Sequence, residues 1–368
     1  SKMITHTRKC SFWKSMLILV IVLIPFQTVF ASDGVKWHPG HYYATMGHGK
    51  NNPAYMRNVY AELEQTRALR GLQVRYAWAE LEVSEGVYNF APIDAILNEL
   101  AKRGKRLFIL IQTKSFNLNF KSVPDYLKAE KYENGTYIFV TYGERKPKGE
   151  NIKLWNPLVR DRLIALFRAL GERYNAHPYF EGIGLPETAL GEPLAKFTIT
   201  ETDQFFANLL IVHQAMRQSF PNTVTLQSVN HPRSILKSFT DRMKTIGTAL
   251  SGPDIFLEDP AMNAPETKNT SKGIYHYYPE LSGIVPIAPS VMQSNYAMTQ
   301  HNKETREPSI HELLSFAKNN LKANYIIWTR EPKYFSRLLQ VLNEPDQTRE
   351  PSGGLIATCP KAFRSCKN

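Results

Sequence analysis

Cysteine is scarce, with three in 368 residues, at positions 10, 359 and 366. That excludes a small scaffold held together mainly by disulfides. No run of His and Cys has the spacing of a metal site, so neither a metal nor another cofactor is expected. A glycine-rich phosphate loop after the first predicted strand is also missing, which counts against a dinucleotide-binding open sheet. Nucleic-acid motifs are absent, so a nucleic-acid partner is not expected. Beyond residue 31 no apolar run is long enough to cross a bilayer.

What is present begins with a processing pattern. Arg8, Lys9 and Lys14 precede the apolar run 16–26, and Val29-Phe30-Ala31 suits cleavage before Ser32. Residues 1–31 therefore read as a signal peptide, with an uncleaved anchor as the alternative. The protein is then secreted or periplasmic. Net charge is +12, and 1–31 hold four basic and no acidic residues, which leaves +8 for the remainder. That excess suits an acidic partner such as an anionic polysaccharide. An export signal makes a Cys359–Cys366 bridge plausible, with two free thiols as the alternative. The 43% apolar and 21% charged composition is that of a folded domain.

Hydrophobic periodicity then gives eight short strands alternating with helices. Strands are expected at 34–43, 72–78, 106–112, 179–191, 223–229, 254–257, 283–291 and 324–328. Helices are expected at 53–70, 91–103, 157–174, 202–220, 239–250, 310–321 and 334–342. The run 106–112, RLFILIQ, is apolar on both faces, as a buried parallel strand should be. The pattern predicts an α/β (β/α)8 TIM barrel over 32–345, with an insertion at 113–156 and a surface extension at 346–368. A doubly wound open sheet is the structural alternative.

In such a barrel, residues just past the strands face the active site. Glu187, after the apolar Ile183 and Leu185, is the leading catalytic candidate, as a general acid. Glu258, placed at the sixth strand end, is the second. Trp37, Trp78 and Trp328 offer flat faces for a sugar, and Glu80, Asn230, His231, Gln293 and Asn295 offer groups for its hydroxyls. Two carboxyls flanking a glycosidic bond are what its hydrolysis requires.

The stretch 71–112 (GLQVRYAWAELEVSEGVYNFAPIDAILNELAKRGKRLFILIQ) resembles the second- and third-strand region of clan A glycoside hydrolases, particularly family 42-type β-galactosidases. The resemblance implies a barrel glycosidase with Glu187 in the place of the clan's acid/base. Two departures stand out. Pro186 precedes Glu187 where the clan usually has Asn, and the seventh-strand segment APSVMQSNY carries no acid where the clan has its nucleophile. The expected partner is a carbohydrate, neutral or anionic. The rival expectation is a carbohydrate-binding barrel without catalysis, and a barrel hydrolase of another kind is a third reading.

Overall fold

The computed structural model describes residues 34–46 and 49–368. The signal-peptide expectation, with Cys10, lies outside the described residues. Among them, no helix is long and apolar enough to cross a membrane.

Eight parallel strands close into a barrel. In chain order they are Gly40–Ala44, Leu69–Ala77, Arg106–Gln112, Phe180–Leu185, Val224–Ser228, Ala249–Gly252, Ile287–Val291 and Tyr325–Thr329. The first is bonded to the eighth and the second, which completes the ring. Helices cover its outside. The helix Pro157–Tyr174 starts where Asn156 accepts from the amides of Leu158 and Val159, and it buries Val159, Leu163, Leu166, Phe167 and Leu170 against the strands. The helix Ile199–Ser219 opens on a capping box, in which Thr198 and Glu201 satisfy each other's backbone amides.

Three predicted elements are placed differently in the structure. The helix expected at 239–250 runs instead over Arg233–Ile246, and Gly247 ends it in the left-handed region at φ 85°. The short run after that glycine, Ala249–Gly252, is therefore the sixth strand, and the segment 254–257 lies beyond it. The first predicted strand is in fact two pieces. Val35–Lys36 pairs with Cys366–Lys367, and the barrel strand starts only at Gly40.

The tail, much of it exposed, is tied back to the barrel. Cys359 and Cys366 form a disulfide, Phe363 packs edge-on against Trp37, and Ala357 O accepts from Trp37 Nε1 at 2.7 Å. Together these close the floor of the barrel at the N-terminal ends of the strands.

Above that floor, Phe108 packs edge to face with both Tyr42 and Tyr325, and the three rings fill the lower interior. Gly182 makes room, since a Cβ there would lie 2.2 Å from the Phe108 ring. Glu181 is buried among them. It accepts from the His38 amide (2.8 Å) and from Tyr325 Oη (2.7 Å), and it bonds His38 Nδ1 (2.7 Å). Those bonds outweigh burial and hold its carboxyl below the ordinary range. Removing one member of a buried ionic network leaves the others unpaired. Glu181→Ala is accordingly expected to cost roughly 3–5 kcal/mol of stability at neutral pH. Urea unfolding checks this, and a loss below about 1 kcal/mol would mean the network contributes little.

Candidate functional site

The upper interior is built differently. Facing the mouth are the small side chains of Ala44, Ala77, Ser228, Ser251 and Ser290, which continue the inward alternation set by Tyr42, Leu226, Ala249 and Ala288. Longer side chains share this space, Arg75 among them. Arg75 pairs in register with Leu110, an interior residue, so it too points inward.

Glu187 follows the fourth strand by two residues. Lys114 Nζ donates to its Oε1 at 2.9 Å and Asn230 Nδ2 to its Oε2 at 2.7 Å. Asn230 is held in turn, because its Oδ1 accepts from the amides of His231 (2.7 Å) and Ala189 (3.2 Å). Burial pushes the Glu187 carboxyl up. The Lys114 charge and hydrogen bond, the Asn230 amide and the Arg75 guanidinium together outweigh that and hold it below the usual value.

A second carboxyl is Asp254, two residues past the sixth strand. Burial pushes it up to about 6. The Asn295 hydrogen bond and Arg75 oppose the rise, while the charges of Glu187 and Asp259 add to it. Asn295 Nδ2 donates to Asp254 Oδ1 at 3.1 Å, and its own Oδ1 accepts from the amides of Ile255 and Met292. Burial lowers the Arg75 pKa, and both acids oppose that by favouring its charged form. Glu187, Asp254 and Arg75 thus form one electrostatic group at the mouth.

Several expected site residues lie elsewhere. Trp37 belongs to the floor, at the opposite end from Glu187, because the first barrel strand starts three residues after it. Trp328 is fully buried and points out toward the helices, where its Nε1 meets His41 Nδ1 at 3.0 Å. Its neighbours Ile327 and Thr329 take the inward positions. Trp78 is also fully buried and donates to Glu82 Oε1 at 2.8 Å. Glu258 is exposed and pairs with Arg306 and Thr299 at the surface, since the true sixth strand ends six residues earlier. Asn295 is entirely buried and engaged as a strut for Asp254, so no hydroxyl can reach it. Glu80 pairs with Lys50 (3.2 Å) and caps the Ala77 amide. Gln293 is half-buried, with no side-chain hydrogen bond among the described residues. His231 is near enough for the Glu187 charge to raise it, although burial holds its pKa below the usual value.

The sequence reading gave no role to four residues, although Lys114 stood among the polar rim residues that follow the third strand. Asp254 was hidden by the misplaced sixth strand, and Arg75 sat unremarked within the second. The other two come from the insertion, whose antiparallel strands Lys114–Ser115, Thr136–Val140 and Pro147–Ile152 join Glu192–Pro193 in a small sheet beside Glu187. Lys114 comes from its first strand. Phe116 follows it, 58% exposed, with Lys114 Nζ 4.9 Å from its ring centre. A surface hollow of about 510 Å³ near His311 and Glu344 is lined by none of these residues. Among the described residues, no three His, Cys, Asp or Glu side chains could hold a metal.

Residues 65–187 match the family model for glycoside hydrolase family 42, described as beta-galactosidase. The chain resembles the clan A glycoside hydrolases. The matched stretch is about a third of the chain and ends at Glu187. Among solved structures, a beta-galactosidase from the psychrophilic Marinomonas ef1 superposes with a TM-score of 0.56 at 10% identity, over 86% of this chain and 61% of that one. The catalytic domain of a beta-amylase from Paenibacillus polymyxa gives 0.54 at 9% identity, over 83% and 98%. A beta-galactosidase from Bacillus circulans gives 0.52 at 13%, over 80% and 50%. The chain thus spans only 50% and 61% of the length of these two β-galactosidases. At such identities the likeness is one of fold, and it bears out the predicted barrel. No curated protein matches the chain by sequence.

The Lys114–Glu187 pair has a direct test. In Lys114→Met, burial would dominate, and the Glu187 carboxyl should titrate at least about one pH unit higher. Carbon-13 NMR of glutamate-labelled protein, with Glu187→Gln to assign the signal, reads this. An unmoved titration would show that Lys114 does not set the charge.

Proposed function

We propose that this protein hydrolyses glycosidic bonds in an oligo- or polysaccharide at the barrel mouth, with Asp254 as proton donor and Glu187 as its ionised partner. One observation carries the reading: two carboxyls share the mouth with Arg75, one held ionised and the other pushed up to about 6. Glycoside hydrolysis needs that division of labour. It exchanges the role first expected for Glu187, because Lys114 and Asn230 favour its carboxylate form.

In the proposed step, Asp254 gives its proton to the leaving oxygen as the bond from the anomeric carbon breaks. Glu187 takes the proton of the attacking water if the reaction inverts, or bonds the anomeric carbon itself if it retains. Phe116 supplies the exposed ring against which a sugar face can pack. Export to the periplasm or beyond the cell is part of the proposal. It is supported by the pattern in 1–31 and by the Cys359–Cys366 bond, which persists in oxidising compartments.

A binding-only barrel is the reading that the seventh strand favours. Ile287–Val291 ends without a carboxyl, and Gln293 follows it. The experiment is turnover and calorimetric binding across an oligosaccharide panel. Glu187→Gln and Asp254→Asn should each lower kcat by about 10²–10⁴-fold while binding is kept. The pH–rate profile should fall above about pH 6, as Asp254 loses its proton, and again in acid as Glu187 gains one. Binding without turnover in the wild type establishes the binding-only barrel instead.

A further inference from the structure

Arg75 is unusually placed. A guanidinium carries five N–H donors, and in a protein interior they are normally used. Among the described residues the Arg75 guanidinium makes no hydrogen bond. Its Nε is sealed from solvent without a partner, whereas its two terminal nitrogens are not among the sealed, unpartnered atoms. The planar end of the side chain is therefore the part that a molecule in the cleft can reach.

The nearby acids do not occupy it. Both oxygens of Glu187 are engaged, by Lys114 and Asn230, and Asp254 is bonded to Asn295. Lys114 and Glu187 neutralise each other. The charge of Arg75 is left over whenever Asp254 is protonated, the form in which Asp254 can donate.

Two further observations point the same way. Below Arg75, Gln73 Nε2 and Thr329 Oγ1 are also buried without partners. They lie level across the first strand, because Ala44 is in register with both residues. This side of the mouth is polar rather than packed. At the outer edge, Lys148 Nζ lies 5.6 Å from the ring centre of the exposed Phe116, and Lys148 has no acidic partner among the described residues. An unpaired cation thus stands at each end of the path from the barrel interior to the platform.

We propose that the cleft takes acidic oligosaccharides, with the carboxylate of a bound uronic acid received by the fork of Arg75 and the next sugar stacked on Phe116 beside Lys148. This deepens the glycosidase reading and rests on it. Arg75 matches a carboxylate with two parallel N–H···O bonds, a geometry that a neutral hydroxymethyl group cannot reproduce. The remainder of +8 outside 1–31 adds long-range attraction for such a polymer.

The test uses oligomers of galacturonic, glucuronic and mannuronic acid, each paired with its carboxyl-reduced counterpart of the same length and linkage. Turnover and calorimetric affinity are measured for the wild type, Arg75→Gln, Arg75→Lys and Lys148→Glu. The wild type should prefer at least one acidic oligomer over its reduced partner by about 100-fold, the scale of one charge-assisted bidentate contact. Arg75→Gln should abolish that ratio, Arg75→Lys should restore part of it, and Lys148→Glu should reduce it. Indifference or a preference for the reduced forms in the wild type overturns the proposal, as does an equal loss on both forms in Arg75→Gln. The wild-type comparison and Lys148→Glu decide it even if the interior variants fail to fold. Turnover of reduced oligomers alone leaves the glycosidase reading standing while this one falls. Arg75-dependent binding of acidic oligomers without turnover does the reverse, and neither binding nor turnover removes both.

Discussion

The volume inside a ring of eight strands governs this molecule. It holds only a few layers of side chains, and whatever fills one layer is denied to the next. Here the lower layers take Tyr42, Phe108 and Tyr325, with Trp37 and Phe363 beneath. The aromatic floor needs Gly182 to make room, and it needs Glu181 to satisfy Tyr325 Oη. Because the bulk is placed low, the mouth can be lined by serine and alanine, and a single arginine can stand in it. The C-terminal tail belongs to the same economy of space, since its disulfide loop covers the end from which no chemistry is expected.

Within that mouth the acids are separated by their surroundings rather than by their residue type. Glu187 is at least as shielded from water as Asp254, and burial acts on both in the same direction. Lys114 makes the difference. It comes from the small sheet of the insertion, as does Phe116, so an element outside the barrel sets the charge state at a barrel strand end. An insertion of this size is a structural cost unless it contributes to the site. Here it supplies a cation and an exposed ring.

The barrel was legible because parallel strands with two buried faces read as apolar runs between amphipathic helices, and 106–112 and 157–174 fall where expected. Glu187 was legible from its place after such a run. The aromatic residues were not. A tryptophan near a strand end has the same local sequence whether it faces the mouth or the helix layer, and only the alternation through Ile327 and Thr329 puts Trp328 outside. Trp37 was misread because Pro39-Gly40 separates a floor strand from a barrel strand, and the two together look like one continuous run.

The sixth strand shows how a small boundary error becomes a chemical one. Four residues, Ala249–Gly252, are too few to carry a periodic signal, and the first two were absorbed into the preceding helix. Gly247 was the available sign, since a glycine past the last helical turn commonly ends it. With the strand restored, the acid past its end is Asp254 rather than Glu258. The missing carboxyl of the seventh strand then takes on a different meaning. The seventh strand borders the sixth, and its following turn contributes Asn295, which grips Asp254. The strand that carries the nucleophile in the clan thus serves here to hold an acid that arrives from next door, so the absence of an acid at that strand does not by itself empty the site of a second carboxyl.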